Sequence, residues 1–183
     1  MDGQPCYRAG FLAPAEADAL FQDLRDGVAW RRERLQLFGR PVTVPRLLGW
    51  YGDSGVNYRY AAADHLCEGW LPSLAALRAR LRRELGLSSN LVLLNRYRHG
   101  RDYMGWHRDD ETGLQPAIVS LSLGATRRFL LRPPGADRSW GLDLEHGSAL
   151  TMDGRWRHSL PRTRRPVGER INLTFRLVDR ARP

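Results

Sequence analysis

The chain contains no lysine. All 29 of its basic side chains are arginines, and against 20 acidic ones they leave a formal net charge of +9. A guanidinium grips phosphate and carboxylate bidentately where an ammonium acts as a point charge. A polyanionic partner is therefore one reading of the excess, and a merely solubilising surface is the other. Cysteine is scarce as well. Cys6 and Cys67 are the only two, which excludes a disulfide framework, and two isolated thiols do not make a zinc site. No apolar run is long enough to span a bilayer. Met1 to Ala9, with Asp2 and Pro5, lacks the basic start and apolar stretch of a secretory signal. An intracellular, cytoplasmic protein is expected. There is no internal repeat and no low-complexity tract. The 183 residues, 42% of them hydrophobic, suffice for one domain with a sizeable core, and a monomer is expected.

What is present reads as two helices and a series of short strands. Behind Pro14, the apolar positions Ala15, Ala19, Leu20, Leu24 and Val28 recur at helical spacing. From Trp70 to Leu85 a stripe of Leu71, Leu74, Leu77, Leu81 and Leu85 predicts a second helix, which Gly86 stops. Between them, Leu35 to Trp50 is broken by Gly39, Pro41 and Pro45, which predicts a hairpin rather than core sheet. After Gly86 short strands follow one another: Asn90 to Tyr97, Ala117 to Leu123, Arg127 to Leu131, Trp140 to Leu144, Ser148 to Met152, Trp156 to Leu160 and Arg170 to Val178. Such a succession predicts a mainly β jelly roll with the helices packed outside.

The last of these strands has two unlike faces. Alternation places Arg170, Asn172, Thr174 and Arg176 on one side and Ile171, Leu173, Phe175 and Leu177 on the other. A polar face of this kind is ordinarily solvated. If it lines a cavity instead, its cations need an anion to offset their desolvation, and a small dicarboxylate would serve.

His107 and Asp109 lie two positions apart, so on an extended segment both side chains project to the same side, and His158 follows far downstream. Two histidines and one carboxylate on one face of an octahedron leave open positions for a co-substrate and dioxygen, as in non-haem iron(II) oxygenases. Either feature alone is weak. His65, His99 and His146 carry no evident role, and an isolated histidine is most often a surface or satisfied core residue.

Taken in order, Asn95-Arg96-Tyr97, His107-Arg108-Asp109-Asp110-Glu111, His158-Ser159-Leu160-Pro161 and the run from Arg170 to Arg176 resemble the AlkB family of dealkylating dioxygenases. The resemblance covers the chain from about Leu35 to Leu177. Pro45-Arg46, Tyr51-Gly52-Asp53 and Tyr58-Arg59-Tyr60 look closest to the branch of animal enzymes that repair alkylated DNA. It implies a double-stranded β-helix core and iron(II) held by His107, Asp109 and His158. It also implies 2-oxoglutarate held by Asn95, Tyr97, Arg170, Asn172, Thr174 and Arg176, with dioxygen as the oxidant. The implied reaction is oxidative dealkylation of N-alkylated nucleobases, with formaldehyde, succinate and carbon dioxide as products. The corresponding plan of the chain is a helical support over 1–34, a nucleotide-recognition hairpin region over 35–60, and a helix with the jelly-roll core over 61–183.

An alkyl group on the pairing edge of a base is buried in a duplex, so the enzyme must act on single strands or flip the nucleotide out. The resemblance places Tyr58 and Tyr60 in the base pocket and Phe38 at the tip of a hairpin that fills the vacated stack. It also implies substrate contacts from Arg108, Asp110 and Glu111 beside the metal, and phosphate contacts from Arg162, Arg164 and Arg165. The ordinary alternatives are half-buried strand residues for Tyr58 and Tyr60, a core residue for Phe38 and solvated charges for the rest. Two other functions remain open from sequence: the same chemistry on RNA or protein, and a lesion-binding module without catalysis, against which the intact triad argues.

Overall fold

The computed structural model describes residues 4–37, 40–60, 63–67 and 69–179. Two antiparallel sheets dominate. The larger runs in the order β1 (Cys6–Arg8), β12 (Ser148–Asp153), β9 (Ala117–Gly124), β14 (Arg170–Arg176), β7 (Leu91–Tyr97), β4 (Leu47–Gly52). The smaller runs β11 (Trp140–Leu144), β10 (Arg127–Arg132), β13 (Arg157–Leu160), β8 (Met104–His107). From β7 to β14 the chain crosses repeatedly between the sheets, which is the expected jelly roll. Two hairpins stand apart as small sheets of their own: β2 (Arg34–Leu37) with β3 (Arg40–Thr43), and β5 (Asn57–Tyr60) with β6 (Ala63–Leu66).

Helices α1 (Pro14–Gly27) and α2 (Pro72–Leu85) each begin on a proline, whose missing N–H costs nothing in a first turn. Gly86 ends α2 at φ 68°, where its N–H donates to the Arg82 carbonyl. Both helices pack against the outer face of the large sheet. Leu24, Leu74, Leu77 and Leu81 meet Val92, Leu94, Ile171, Leu173 and Phe175 in one core. A second core fills the space between the sheets, where Tyr97, Ile118, Leu150 and Met152 of the large sheet meet Phe129, Leu131, Leu144 and Leu160 of the small one. The strand β14 lies between β7 and β9 and belongs to both environments. Its apolar residues enter the helix-side core, and its polar residues face the interior between the sheets rather than solvent.

Several expectations need correction. The stretch Leu47 to Trp50 is core sheet and not hairpin: β4 pairs with β7 along its length, and Leu48 is fully buried. Burial of Leu48 and the close approach of Gly49 to Val28 outweigh the proline signals, which end the hairpin at β3 instead. Ala15 and Ala19 of α1 are exposed, and the buried face carries Ala17 and Leu24. Trp156 belongs to the turn before β13, although its side chain is buried in the inter-sheet core. The short strand β1 has no counterpart in the sequence reading, and β8 supplies the extended segment that the spacing of His107 and Asp109 requires.

The turn from β9 into β10 joins the two sheets. Gly124 adopts φ +81° there, and an added Cβ would collide with the Glu169 carbonyl and with the Phe21 ring. Gly124→Ala should destabilise the fold by at least about 1–2 kcal/mol from the left-handed backbone alone. The midpoint of denaturant unfolding measures this, and an unshifted midpoint would mean that the turn relaxes freely.

Candidate metal centre and its cavity

Strand register brings the two histidines together. In the pairing of β13 with β8, His158 stands directly opposite His107, and the imidazole centroids are 4.1 Å apart. The register then shifts before Leu160 reaches Met104. This irregularity lets Met104 and His107, three residues apart, both line the same cavity. Asp109 follows just beyond the end of β8. Its carboxylate oxygens lie 3.6 Å from His107 Nε2 and 3.7 Å from His158 Nε2. The ligand atoms of His107, Asp109 and His158 all fall within 4.8 Å of one another, and among the described residues they form the one such group able to hold a metal ion.

The main chain has already selected the tautomer of each ring. His107 Nδ1 is 2.9 Å from the Gly105 carbonyl and His158 Nδ1 is 2.9 Å from the Trp156 carbonyl. A carbonyl oxygen can only accept, so Nδ1 carries the proton and Nε2 presents its lone pair to the centre. Burial pushes the His107 imidazole down to about 4, with the neighbouring His158 adding to the effect, so the ring stays neutral and able to ligate through the neutral range. Burial alone would raise the Asp109 carboxyl. The Arg176 guanidinium, 2.9 Å away, outweighs it and holds the carboxyl below its ordinary range.

The cavity beside the triad is lined by the inner faces of both sheets, including Asn95, Tyr97, Arg170, Asn172, Thr174 and Arg176. All six residues expected from sequence to hold the co-substrate are therefore gathered in one place. Arg170 is 1% exposed. Its Nη2 donates to the Ser122 hydroxyl at 2.8 Å, while Nε and Nη1 meet no acceptor among the described residues. Burial lowers this guanidinium to about 10. A desolvated cation with two unanswered donors is what an anionic ligand would complete, and the donor set fits a carboxylate. Asn172 is differently placed: its amide already donates to Ser120, and its oxygen accepts from Thr174, so these residues brace the wall.

Some residues of the site were not foreseen. Arg46, buried, donates from Nε to the Asn95 side-chain oxygen at 2.6 Å. Arg127, also buried, donates to the carbonyls of Asp102 and Pro161 and lies 6.0 Å from the Tyr97 ring centroid. Pro45-Arg46 is among the residues that carry the family resemblance, but nothing in a single chain reveals which amide an arginine will meet.

Of the residues expected to meet substrate, Arg108 and Asp110 are exposed and 3.9 Å apart, while Glu111 is drawn to within 3.7 Å of Arg176. Arg162, Arg164 and Arg165 lie exposed in the loop after β13, with the Arg162 guanidinium 4.2 Å from the Tyr103 ring centroid. Tyr58 and Tyr60 fall in β5, as their spacing suggested. Phe38 lies outside the described residues.

Asp109 is positioned through its backbone. Its N–H donates to the Gly154 carbonyl at 2.9 Å, and a Cβ on Gly154 would collide with the Asp109 carbonyl and come within 3.2 Å of the Asp109 Cβ. Gly154→Ala should therefore displace the carboxylate and weaken metal binding by about 10-fold or more, as loss of a ligand's supporting contacts does. Titration of the apoprotein with cobalt(II), followed by its visible absorption, measures this. Affinity equal to the parent's would show that the loop yields without moving Asp109.

Comparison with known proteins agrees with this geometry. The family model described as the 2OG-Fe(II) oxygenase superfamily matches residues 4–176. The chain is 36% identical over 194 residues to the DNA oxidative demethylase ALKBH2 of Mus musculus, covering 97% of this chain and 81% of that protein. It is 35% identical over 188 residues to the alpha-ketoglutarate-dependent dioxygenase alkB homolog 3 of Bos taurus, covering 94% of this chain and 65% of that protein. The crystal structure of an oxidoreductase of the 2OG-Fe(II) oxygenase family from Burkholderia pseudomallei superposes with a TM-score of 0.67 at 15% identity, covering 98% of this chain and 89% of that one, and so shares the fold. A sequence matched over nearly its whole length, on a jelly roll that gathers the triad and its arginines, thus belongs to the 2OG-Fe(II) oxygenase superfamily and, within it, to the AlkB family.

Proposed function

We propose that the protein repairs DNA by oxidatively removing alkyl groups from the nitrogens of damaged bases. The observation that carries the reading is the meeting, in one cavity, of the His107–Asp109–His158 group and the buried Arg170 guanidinium with two unanswered donors. The relatives named as DNA oxidative demethylases supply the substrate class.

His107 and His158 through Nε2, and Asp109 through its carboxylate, would hold iron(II). Arg176, already against Asp109, suits the end of 2-oxoglutarate nearer the metal, and Arg170 suits the distal carboxylate, with Asn95 and Tyr97 beside it. When bound, iron(II) and 2-oxoglutarate with dioxygen supply the oxidising power, the co-substrate leaving as succinate and carbon dioxide and the alkyl carbon as formaldehyde. The protein's part is positional. Carbonyls of Gly105 and Trp156 hold the imidazoles, Arg176 keeps Asp109 ionised, and Leu93, Ile118, Phe129, Met152 and Leu160 keep the lining largely apolar and exclude water. Tyr58 and Tyr60 would stack on the damaged base, and Phe38 would fill its place in a duplex. Arg108, Asp110 and Glu111 would border the entering nucleotide, and Arg162, Arg164 and Arg165 would contact phosphates.

The direct test is turnover on oligonucleotides that carry methylated bases, read by mass loss and formaldehyde release. Matched DNA and RNA substrates decide between the two nucleic acids. His107→Ala, Asp109→Ala and His158→Ala should each abolish dealkylation while the melting temperature of the folded chain is kept. Near-parental turnover by any one of them removes that residue from the centre. For the co-substrate, Arg170→Ala or Arg176→Ala should cost about 2–5 kcal/mol of binding, which is about 30-fold or more in the 2-oxoglutarate concentration required. Parental saturation in both variants would place the co-substrate elsewhere.

A further inference from the structure

The small sheet has a reverse face. On β10, Phe129 and Leu131 turn toward the inter-sheet core, so Arg128, Leu130 and Arg132 lie on the other side. On β13, His158 turns inward and Arg157 lies outward, exposed. Arg132 and Arg157 are paired directly across the two strands. Like charges so placed destabilise a sheet unless something offsets them. Other arginines nearby are answered: Arg128 has Asp143 at 3.4 Å, and Arg155 has Asp153 at 2.6 Å. Among the described residues no carboxylate pairs with Arg132 or Arg157. The Arg132 guanidinium lies 4.8 Å from the ring centroid of half-buried Trp106, and its buried Nε has no acceptor among the described residues.

Trp106 sits on β8, the edge strand of this sheet. Just before β8, Arg162 lies over Tyr103 in a second arginine–aromatic stack. Uncompensated guanidinium groups interleaved with aromatic rings along an edge suit a single strand of nucleic acid, whose phosphates answer the cations while its rings offer faces for stacking. The face also adjoins the metal centre. Trp106 and Arg157 each neighbour a triad histidine in sequence, with the side chains on opposite sides of the same two strands. A strand passing round the β8 edge needs to traverse only about a sheet's thickness, ~10 Å, between cavity and face.

We infer that Trp106, Arg132 and Arg157 form a docking face for the phosphodiester backbone of the DNA strand whose alkylated nucleotide occupies the cavity, an inference that rests on the nucleic-acid reading above. The contact adds affinity without sequence preference, because it reads phosphate and not base edges.

The test uses the iron(II)- and 2-oxoglutarate-loaded enzyme under nitrogen, with a fluorescent single-stranded oligodeoxynucleotide carrying one N-methylated base. The dissociation constant is measured by anisotropy across a salt series. Each neutralised phosphate on a single strand contributes about 0.7 to the slope of log affinity against log salt. Arg132→Gln and Arg157→Gln should therefore each lower the slope by about that amount, and Arg157→Lys should retain it. Arg83→Gln removes the same charge from an exposed position on α2, behind the large sheet, and should leave the slope at the parental value. Parental slopes in both glutamine variants overturn the inference, and exposed Arg157 provides a variant that does not depend on repacking. An equal fall with Arg83→Gln also overturns it, since net charge would then be the cause. Failure of the parent to dealkylate the same oligonucleotide in air would overturn the function instead, and the slopes would still decide whether this face binds phosphate.

Discussion

Taking a guanidinium out of water costs several kcal/mol unless an anion and good hydrogen bonds replace the solvent. Strand β14 takes two out at once. Its central place in the large sheet leaves Arg170 and Arg176 1% and 2% exposed, with the helix-side core sealing one face of the strand and the small sheet covering the other. Arg176 finds Asp109, and in doing so holds ionised the carboxylate that completes the triad. Arg170 has the Tyr97 ring 5.8 Å away and a serine hydroxyl for one of its nitrogens, and among the described residues its other two meet no acceptor. The closure of the jelly roll over this strand is thus what leaves a buried guanidinium with unanswered donors, among the described residues, in the cavity beside the candidate metal group. The same arginines on an edge strand would be solvated and undemanding.

Much of this was legible in the chain because it depends on local pattern. The two-sided alternation of β14, the leucine stripe of α2 and the stop at Gly86 follow from periodicity, and the structure reproduces them. Alternation could not say whether the polar face met water or cavity. That depended on the partner sheet, and the resemblance of the ordered motifs supplied the answer. In α1 the stripe was displaced, since Ala15 and Ala19 are small enough to fit either side and the packing chose Ala17.

The rest was illegible for tertiary reasons. β8 is four residues long and includes Gly105, too little for a pattern to register, and its existence depends on β13 beside it. Arg127 and Arg46 look like any of the other arginines until the strands place them against Tyr97 and Asn95. Gly154 is no positive-φ turn glycine. It is required because the Asp109 backbone passes so close, a constraint set by a segment more than forty positions away in sequence.

The pairing of His107 with His158 across β8 and β13 also bears on how the chain reaches this state. A slip of one residue between two strands turns every side chain of one of them to the opposite face. A four-residue edge strand has few backbone bonds with which to resist such a slip. In the slipped arrangement His107 would face outward and the group of three would be lost. An ion that binds only the aligned form stabilises it by mass action, so iron would serve as a template that rewards correct registry at a short edge strand of the small sheet.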